Sequence, residues 1–473
     1  MHIFQRSASF QIRQNVIQLF EDLCPNHLHK EHTMTKPLKV GMISLGCNKN
    51  RVDSETALGL LADHGYTFTG DPADADILMV NTCGFIESAK EESIDTIFEM
   101  AQYKQTGRCK LLVVTGCLAQ RYEEALKAEI PEIDLLMGVN QYKELPAAIE
   151  KALRGDRTSY CADDNSYYAH DRVLTTPFYT AYTRIGEGCP NRCTFCAIPL
   201  IRGAYRSRPE KDVLEEIEQL AKRGVREHIL VAQDTTRFGT EGGNRTTLPE
   251  LMKKAAAIDG VDWLRVLYCY PDETDERLLD VIANTPNICK YLDLPIQHVN
   301  DTVLKRMHRR GNKADILRCI KGARERGLTL RTSIIVGFPG ETEEQFQELL
   351  DVLGEAEFDR LGAFTYSPEE DTPAARMPDQ IPEEIKQERL DRLMTMQSAI
   401  SLKRNQARIG TIEKVLVTDA APGGKALGRS HREAPETDGE ILFTCGDKLP
   451  EIGSFVNVKL TKADTYDLMG EML

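Results

Sequence analysis

Three short apolar runs in the first third of the chain each lead into a cysteine, and they constrain the fold more than any other feature. The runs cover residues 40–46, 77–82 and 111–116. Continuous β-branched and aliphatic runs of this length are typical of strands that are buried on both faces. The neighbouring segments carry apolar residues at three- and four-residue steps, as helices do; they are residues 53–65, 88–105 and 121–129. The sequence therefore predicts an α/β domain with a doubly wound parallel sheet over residues 36–150.

The cysteines that follow these runs are Cys47, Cys83 and Cys117. In a parallel sheet, the residues just beyond the carboxyl ends of neighbouring strands line one crevice. The predicted fold therefore brings the three thiols together, although 36 and 34 residues separate them in the sequence. One such cysteine would ordinarily be a buried core residue. Three at matching strand ends favour a metal site with three thiolate ligands.

A second triad, Cys189, Cys193 and Cys196, has CxxxCxxC spacing. Three thiolates spaced in this way can ligate three irons of a cubane [4Fe-4S] cluster and leave the fourth iron for a non-protein ligand. An open metal position is typical of a catalytic site rather than a structural one. A zinc site is the alternative, but it requires a fourth nearby ligand, and the next candidate, His228, lies 32 residues after Cys196.

The middle of the chain, residues 178–380, alternates predicted strands with predicted helices. The strands are residues 179–185, 228–232, 263–267, 291–294, 329–336 and 360–365. Six βα units predict a partial (βα)6 barrel whose site lies at the carboxyl ends of its strands, and the CxxxCxxC loop follows the first strand on that rim. Four further rim residues suit an adenosylated ligand, although each also fits an ordinary turn after a strand: Gln233, Gln297, Ser333 and Gly337.

The last part of the chain, residues 381–473, has a different sequence pattern. Residues 381–408 read as a charged amphipathic helix that leads out of the barrel. Five short predicted strands follow and suit a small antiparallel β-barrel over residues 409–473. From residue 411 onward, seven Lys/Arg stand against eleven Asp/Glu, a net charge of −4. Because such barrels bind RNA through a basic face, an acidic one favours a basic protein as the partner.

Composition sets outer bounds on location. The whole chain has a net charge of −14 and contains thirteen cysteines. No apolar run approaches the ~20 residues that span a bilayer, and no signal peptide is evident. We therefore expect a cytoplasmic protein without membrane association, whose cysteines are thiols or metal ligands. Residues 1–35 are predicted to be a disordered extension and residues 151–177 a linker.

The three regions in this order resemble the methylthiotransferase family of radical S-adenosylmethionine (AdoMet) enzymes. That family combines an N-terminal cluster domain, a radical-AdoMet barrel and a C-terminal TRAM barrel, and the resemblance extends from Lys36 to Leu473. Phe195, the aromatic residue before the third cysteine of CxxxCxxC, also matches the family motif. The supporting strings are SLGCNKNRVDSE (44–55), NTCGFI (81–86), TGCLAQRY (115–122), PIQH (295–298) and APETDG (434–439).

The resemblance implies two [4Fe-4S] clusters with separate tasks. AdoMet would bind the open iron of the CxxxCxxC cluster, with Phe195 and the four rim residues as candidate contacts, and its reductive cleavage would give a 5′-deoxyadenosyl radical that removes a substrate hydrogen. The cluster at Cys47, Cys83 and Cys117 would hold an exogenous sulfur, which a second AdoMet methylates. This chemistry requires a low-potential electron donor and a sulfur donor. No catalytic residue beyond the cluster ligands is indicated.

Within the family, the chain is most similar to members that methylthiolate the β-carbon of an aspartate in small-subunit ribosomal protein number twelve, free or in the ribosome. Relatives that modify transfer RNA usually carry Gln-Ser-Gly where this chain has Gln297-His298-Val299. Methylthiolation of an adenosine in transfer RNA by the same chemistry is one alternative. A non-enzymatic iron–sulfur protein that binds RNA is the other. We expect a monomer in each case.

Overall fold

The computed structural model describes residues 37–162, 171–241, 246–446 and 448–473. The chain forms two compact units. The N-terminal unit contains the described residues up to Pro177 together with Ala197–Ala204, and the C-terminal unit contains Phe178–Cys196 and the rest of the chain from Tyr205. The predicted extension 1–35 lies outside the described residues. Among the helices of the described ranges, none has the length and apolar character that a membrane span requires.

The N-terminal unit is built on one six-stranded parallel sheet with the strand order β2-β1-β3-β4-β5-β6. Its strands are β1 (Lys39–Ser44), β2 (Thr67–Phe68), β3 (Ile77–Thr82), β4 (Leu111–Gly116), β5 (Leu135–Met137) and β6 (Ser159–Tyr160). Its helices are α1 (Asn48–Asp63), α2 (Glu87–Ala101), α3 (Tyr103–Thr106), α4 (Cys117–Arg121), α5 (Glu123–Glu129), α6 (Leu145–Leu153) and α7 (Ile198–Arg202).

The two faces of this sheet carry separate hydrophobic cores. Met79 of β3 packs with Leu58 of α1, whereas its neighbour Leu78 packs on the opposite face with Ile97 of α2. Successive side chains of a strand point to opposite faces, so a strand covered on both sides is apolar throughout. The predicted doubly wound parallel sheet is therefore confirmed.

Helix α1 begins at Asn48, five residues before the start that apolar spacing predicts. Its first turn contains no apolar residue, and its buried positions include the polar side chains of Asn50, Asp53 and Glu55. Helix prediction from sequence depends on an apolar stripe, and here polar residues occupy part of the buried face. The first half of α1 therefore buries polar side chains, whereas its second half packs Leu58 into the hydrophobic core.

The predicted linker, residues 151–177, contributes to the N-terminal unit. It contains β6, which adds to the sheet beside β5. Further along, Arg172 forms a buried ion pair with Glu55 of α1 at 3.0 Å, and the Thr175 amide donates to the other Glu55 oxygen at 2.8 Å. Strand β6 and these contacts show that the described residues between the end of α6 at Leu153 and Pro177 are folded as part of the N-terminal unit.

The C-terminal unit begins with six parallel strands, each within one residue of its prediction at either end. They are β7 (Thr180–Arg184), β10 (Glu227–Val231), β11 (Trp263–Val266), β12 (Tyr291–Asp293), β13 (Thr329–Val336) and β14 (Arg360–Thr365). A two-stranded ribbon joins β8 (Gly186–Glu187) to β9 (Arg206–Ser207). The helices are α8 (Glu210–Lys222), α9 (Leu248–Ala256), α10 (Glu276–Asn284), α11 (Asp301–Arg306), α12 (Lys313–Glu325), α13 (Glu343–Ala356) and α14 (Glu383–Gln406).

The six strands form one curved array. The order β7-β10-β11 and the order β12-β13-β14 are joined where the Leu264 amide donates to the Asn287 carbonyl at 2.8 Å and the Cys269 amide to the Asp293 carbonyl at 2.9 Å. Alternate strand residues such as Leu230 and Leu292 pack outward in the core beneath the helices. The partial (βα)6 barrel is as predicted.

The last 62 residues form a closed barrel in the order β15-β16-β17-β19-β18. Its strands are β15 (Ile412–Ala421), β16 (Lys425–Ser430), β17 (Ile441–Thr444), β18 (Phe455–Ala463) and β19 (Leu468–Met472). The prediction of an antiparallel barrel is wrong for one pair, because β17 and β19 run parallel. Directions cannot alternate all the way round a closed ring with an odd number of strands, so at least one pair must be parallel.

Strand β16 of this small barrel and the segment that follows it close the end of the partial barrel at which its strands begin. Arg429 binds Glu227, the first residue of β10, at 2.6 Å, and Asp438 accepts a hydrogen bond from Tyr291, the first residue of β12, at 2.6 Å. Glu433 pairs with Arg360, the first residue of β14, at 3.1 Å. All three contacts are made at the amino ends of the strands, opposite the rim where a (βα) barrel carries its site.

Candidate metal centres

The first three cysteines lie at the carboxyl ends of three neighbouring strands. Strands β1, β3 and β4 are adjacent in the sheet, with Ser44 opposite Asn81 and Thr82 opposite Gly116. Cys47 occupies the N-cap position of α1, Cys83 follows β3 directly and Cys117 is the first residue of α4. The sheet order therefore places the three residues along one edge, as the sequence predicts.

The turn after β1 brings the backbone against Cys83. Gly46 has a φ of +90°, and a Cβ at this position would lie 3.0 Å from Cys83 Cβ and 3.2 Å from its sulfur. Glycine is the residue that tolerates both the positive φ and so close an approach. The small residue ahead of Cys47 thus allows the turn after β1 to pass close to Cys83.

Arg202 places a positive charge beside the third thiol. Its Nη2 lies 3.6 Å from the sulfur of Cys117, 2.8 Å from a carboxylate oxygen of Asp53 and 2.7 Å from the side-chain oxygen of Asn50. The Cys117 thiol in turn donates to that Asn50 oxygen at 3.4 Å. Arg202 ends α7, and sequence reasoning missed it, because it lies 85 residues from Cys117 and no local spacing connects them.

Burial disfavours the thiolate form of two of these three cysteines. Burial, with a smaller contribution from the neighbouring Cys117, raises the pKa of Cys83 to about 12. Burial also raises the pKa of Cys117. Thiolates in such surroundings need a cationic partner, and a metal core that binds sulfur provides one. The donor set therefore suits a soft metal or an iron–sulfur core.

The CxxxCxxC loop is held at two points. Thr194 is anchored at the end of α11, where its amide donates to the Met307 carbonyl at 3.0 Å and its hydroxyl to the Arg306 carbonyl at 2.9 Å. Asn191 donates to Asp234, just after β10, at 2.8 Å. These bonds fix the loop conformation between the cysteines.

A guanidinium and a phenol lie beside the middle cysteine of this loop. Arg309 Nη1 is 3.8 Å and Tyr270 Oη is 3.9 Å from the sulfur of Cys193, and the guanidinium stacks over the Tyr270 ring at 4.1 Å. Cys189 and Cys193 are buried, whereas Cys196 is half-buried. Burial raises the pKa of Cys189 to about 11. This triad, like the first, offers sulfur donors close to positive charge.

The geometry does not support a zinc site in the described part of the chain. Within those residues, no three His, Cys, Asp or Glu side chains are grouped tightly enough to hold a single ion. His228, the candidate fourth ligand, is buried with its Nε2 3.2 Å from the Val225 carbonyl. In a cubane each cysteine binds a different iron, so its ligands are spread more widely than those of one ion.

The rim residues divide into two groups. Gln297, with a φ of +68°, donates its amide to the Ser333 carbonyl at 2.9 Å, so these two residues lie side by side at the rim, and Gln233 is half-exposed just after β10. Phe195 instead packs in an apolar cluster with Met307 and Phe338. Gly337 faces Lys386, whose Cγ would lie 2.4 Å from an added Cβ. Phe195 and Gly337 thus also have packing contacts, and all five residues stay predicted contacts of AdoMet.

Comparison with known families follows the same three-part organisation. Residues 183–353 match the radical SAM superfamily, residues 39–138 match the uncharacterized protein family UPF0004 and residues 409–473 match the TRAM domain. The partial barrel with its CxxxCxxC loop therefore defines a radical AdoMet enzyme, for which a [4Fe-4S] cluster and AdoMet are the cofactors.

Relatives narrow this class to one family. The chain is 50% identical over 440 residues to the ribosomal protein uS12 methylthiotransferase RimO of Desulforamulus reducens, which covers 92% of this chain and 99% of that protein. It is 48% identical over 440 residues to the protein of the same name from Heliobacterium modesticaldum, covering 92% and 95%. The chain belongs to the RimO family of ribosomal protein uS12 methylthiotransferases.

A solved structure shares the fold at low identity. The radical AdoMet methyltransferase TsrM of Kitasatospora setae, with cobalamin and a [4Fe-4S] cluster bound, superimposes with a TM-score of 0.54 at 14% identity. The match covers 82% of this chain and 80% of that one. The likeness concerns the fold alone.

Proposed function

We propose that this chain adds a methylthio group to the β-carbon of an aspartate in ribosomal protein uS12. The observation that carries the proposal is the end-to-end identity of 50% with a uS12 methylthiotransferase, over 99% of that enzyme's length. The acceptor carbon is unactivated, and a radical AdoMet enzyme is the class that removes hydrogen from such carbons.

Cys189, Cys193 and Cys196 are the proposed ligands of the radical cluster. When bound, that cluster and AdoMet supply the chemistry that removes the substrate hydrogen. The protein's own part is to fix the loop through Asn191 and Thr194 and to place Arg309 and Tyr270 beside Cys193. The proposed contacts of AdoMet are Phe195, Gln233, Gln297, Ser333 and Gly337.

Cys47, Cys83 and Cys117 are the proposed ligands of a second [4Fe-4S] cluster that carries the exogenous sulfur. Three features support this assignment: the thiols stand at neighbouring strand ends, the site is buried around Cys117, and Arg202 provides positive charge for a thiolate-rich core. Three protein ligands leave one iron for the sulfur. The transfer requires the substrate carbon to meet both the radical and the methylated sulfur, so the substrate must be held in one orientation.

The charge of the protein supports a protein substrate. The chain carries a net charge of −14, and its terminal barrel is also acidic. A ribosomal protein such as uS12 needs excess positive charge to bind RNA, so an acidic enzyme would attract it. Transfer RNA is an anion, and the same acidic enzyme would repel it. We also propose that the enzyme is a cytoplasmic monomer that receives electrons from a low-potential donor and sulfur from a separate donor.

Mass spectrometry of the substrate tests this function. In a strain that lacks this gene, uS12 should be lighter by about 46 Da, the mass of a methylthio group less the hydrogen that it replaces. The intact gene should restore the mass, and a Cys189→Ala variant should not. Unchanged uS12 with an altered transfer RNA would overturn the choice of substrate. Failure of the reconstituted, reduced protein to cleave AdoMet would favour the non-enzymatic alternative.

An iron count tests the second cluster. After anaerobic reconstitution, the full chain should hold about eight irons, and the Cys47→Ala, Cys83→Ala, Cys117→Ala triple variant about four. A Cys109→Ala, Cys161→Ala variant is the matched control, because these cysteines lie in the same unit outside both triads. It should retain the full complement. Eight irons in the triple variant would remove the second cluster from the proposal.

A further inference from the structure

We propose that Arg202 is a positioning residue of the N-terminal triad, which donates a hydrogen bond to the Cys117 sulfur and, together with Asp53, sets the reduction potential of the cluster held there. The inference rests on the proposed function, since it assumes that Cys47, Cys83 and Cys117 bind a cluster. It adds to that function a control of the cluster's electronic state by residues outside the ligand set.

The contact between Arg202 and Cys117 is enclosed and held by further hydrogen bonds. Arg202 and Asp53 are each 1% exposed, and their ion pair of 2.8 Å is fully enclosed. The same Nη2 reaches the Cys117 sulfur at 3.6 Å and Asn50 at 2.7 Å. Hydrogen bonds to cluster sulfurs and nearby charges are the means by which proteins adjust the potential of an iron–sulfur centre.

Burying this ion pair requires a reason beyond stability. When an ion pair is buried, the free energy lost with its hydration is rarely recovered by the attraction between the two charges. Apolar residues of similar size at the same positions often give a fold that is equally stable. Helix α1 turns Asn50 and Asp53 inward instead, next to Cys117 and Arg202. The burial of these polar residues is explained if the Arg202 guanidinium provides positive charge to a thiolate-ligated metal core.

The position of Arg202 along the chain adds a second point. It lies six residues after Cys196, the last cysteine of the other triad, yet the segment Ala197–Ala204 belongs to the N-terminal unit. Within that unit, Ala197 and Ile201 form a small apolar cluster with Cys117 and Val139. This cluster holds α7 in place and so orients the guanidinium toward the sulfur.

The sign of the effect follows from charge. A cluster becomes more negative when it takes one electron from a reductant, so a neighbouring positive charge favours the reduced form and a negative charge disfavours it. Loss of the Arg202 charge should therefore lower the reduction potential. Loss of the Asp53 charge should raise it.

The experiment uses the full chain with Cys189, Cys193 and Cys196 replaced by Ala, so that the N-terminal cluster alone is observed. The midpoint potential is measured by anaerobic titration with dithionite, followed by electron paramagnetic resonance, alongside the iron content. In this background Arg202→Met should shift the midpoint to more negative values and Asp53→Asn to more positive ones. Arg202→Lys, which keeps the charge, should restore most of the original value.

Arg172→Met is the matched control. Arg172 forms an ion pair with Glu55 that is as deeply buried and involves the same helix α1. This variant should unfold more readily than its parent but should keep the parent's midpoint potential. A purely structural role for Arg202 would make Arg202→Met behave in the same way.

The outcomes distinguish the role of Arg202 from the presence of the second cluster. Unchanged midpoints in Arg202→Met and Asp53→Asn, with iron retained, would refute the role of Arg202 and leave the second cluster standing. Absence of iron from the parent itself would refute the second cluster. If Arg202→Met does not fold, Asp53→Asn decides, and a midpoint that stays at the parent value or moves to more negative values would overturn the proposal.

Discussion

At the scale of single residues, the two barrels of the C-terminal unit are joined by buried charges rather than by apolar contact alone. Glu227 is fully buried and accepts from Arg429 at 2.6 Å and from Arg265 at 3.2 Å. Burial by itself would raise the pKa of Glu227, but the two guanidinium groups outweigh it and hold the pKa at about 2. These side chains are ordinary surface residues by sequence pattern, and only pairing makes their burial possible.

The depressed pKa of Glu227 predicts how stability depends on pH. The ionised carboxylate stabilises the folded state above the ordinary pKa near 4.5, and this contribution is lost as the pH falls toward the folded value of about 2. The free energy of unfolding of the wild type should therefore fall between about pH 5 and pH 2. Glu227→Gln should be less stable at neutral pH and show a shallower fall, which urea denaturation at several pH values measures. Parallel pH profiles for the two proteins would contradict this.

At the scale of elements, the strands were predictable and one partner of the first triad was not. Apolar runs fixed β1, β3 and β4 almost to the residue because each run is a local pattern. The start of α1 was missed because polar residues form part of its buried face. Arg202 was missed because its approach to Cys117 depends on where α7 packs, which no local pattern encodes.

The strand end at Gly116 gives a prediction for cluster assembly. Gly116 has a φ of +96°, and an added Cβ would lie 2.2 Å from Asn81 Oδ1 and 2.6 Å from the Thr82 carbonyl. Gly116→Ala should therefore displace Cys117 and reduce the iron content from about eight toward about four per chain. Gly65→Ala is the control, because Gly65 also has a positive φ of +81° but has open space around it. It should cost about 1 kcal/mol in stability and leave the iron content unchanged.

At the scale of the whole molecule, the string 434–439 illustrates how a recognisable motif can serve the fold rather than the site. Its residue Asp438 bonds Tyr291 at the amino end of β12, and the adjoining Glu433 bonds Arg360 and Arg408. The loop therefore closes the end of the partial barrel opposite its rim. Because these buried contacts join the small barrel to the partial barrel, we expect the C-terminal unit to unfold cooperatively.

Replacement of Arg429 tests this cooperativity. Arg429→Met leaves the Glu227 carboxylate buried with one partner fewer and should destabilise the C-terminal unit by about 3–5 kcal/mol. Amide hydrogen exchange should accelerate together in β13 of the partial barrel and in β18 of the small barrel. Arg326→Met removes a partly exposed ion pair with Glu276 and should leave the exchange rates of both barrels close to those of the wild type, because solvent screens such pairs. Acceleration confined to the small barrel would show that the two barrels unfold separately.

The sequence by itself determined the alternation of strands and helices, both cysteine triads, the three-part organisation and the family. Each of these depends on neighbours along the chain, or on the rule that parallel strand ends share one edge of a sheet. Tertiary structure alone decided that Arg202 meets Cys117, that Arg429 meets Glu227 across 202 residues, and that β17 runs parallel to β19. The physical reason is that a buried charge needs a partner and a closed ring of five strands needs a parallel pair. Neither requirement leaves a periodic trace in the sequence.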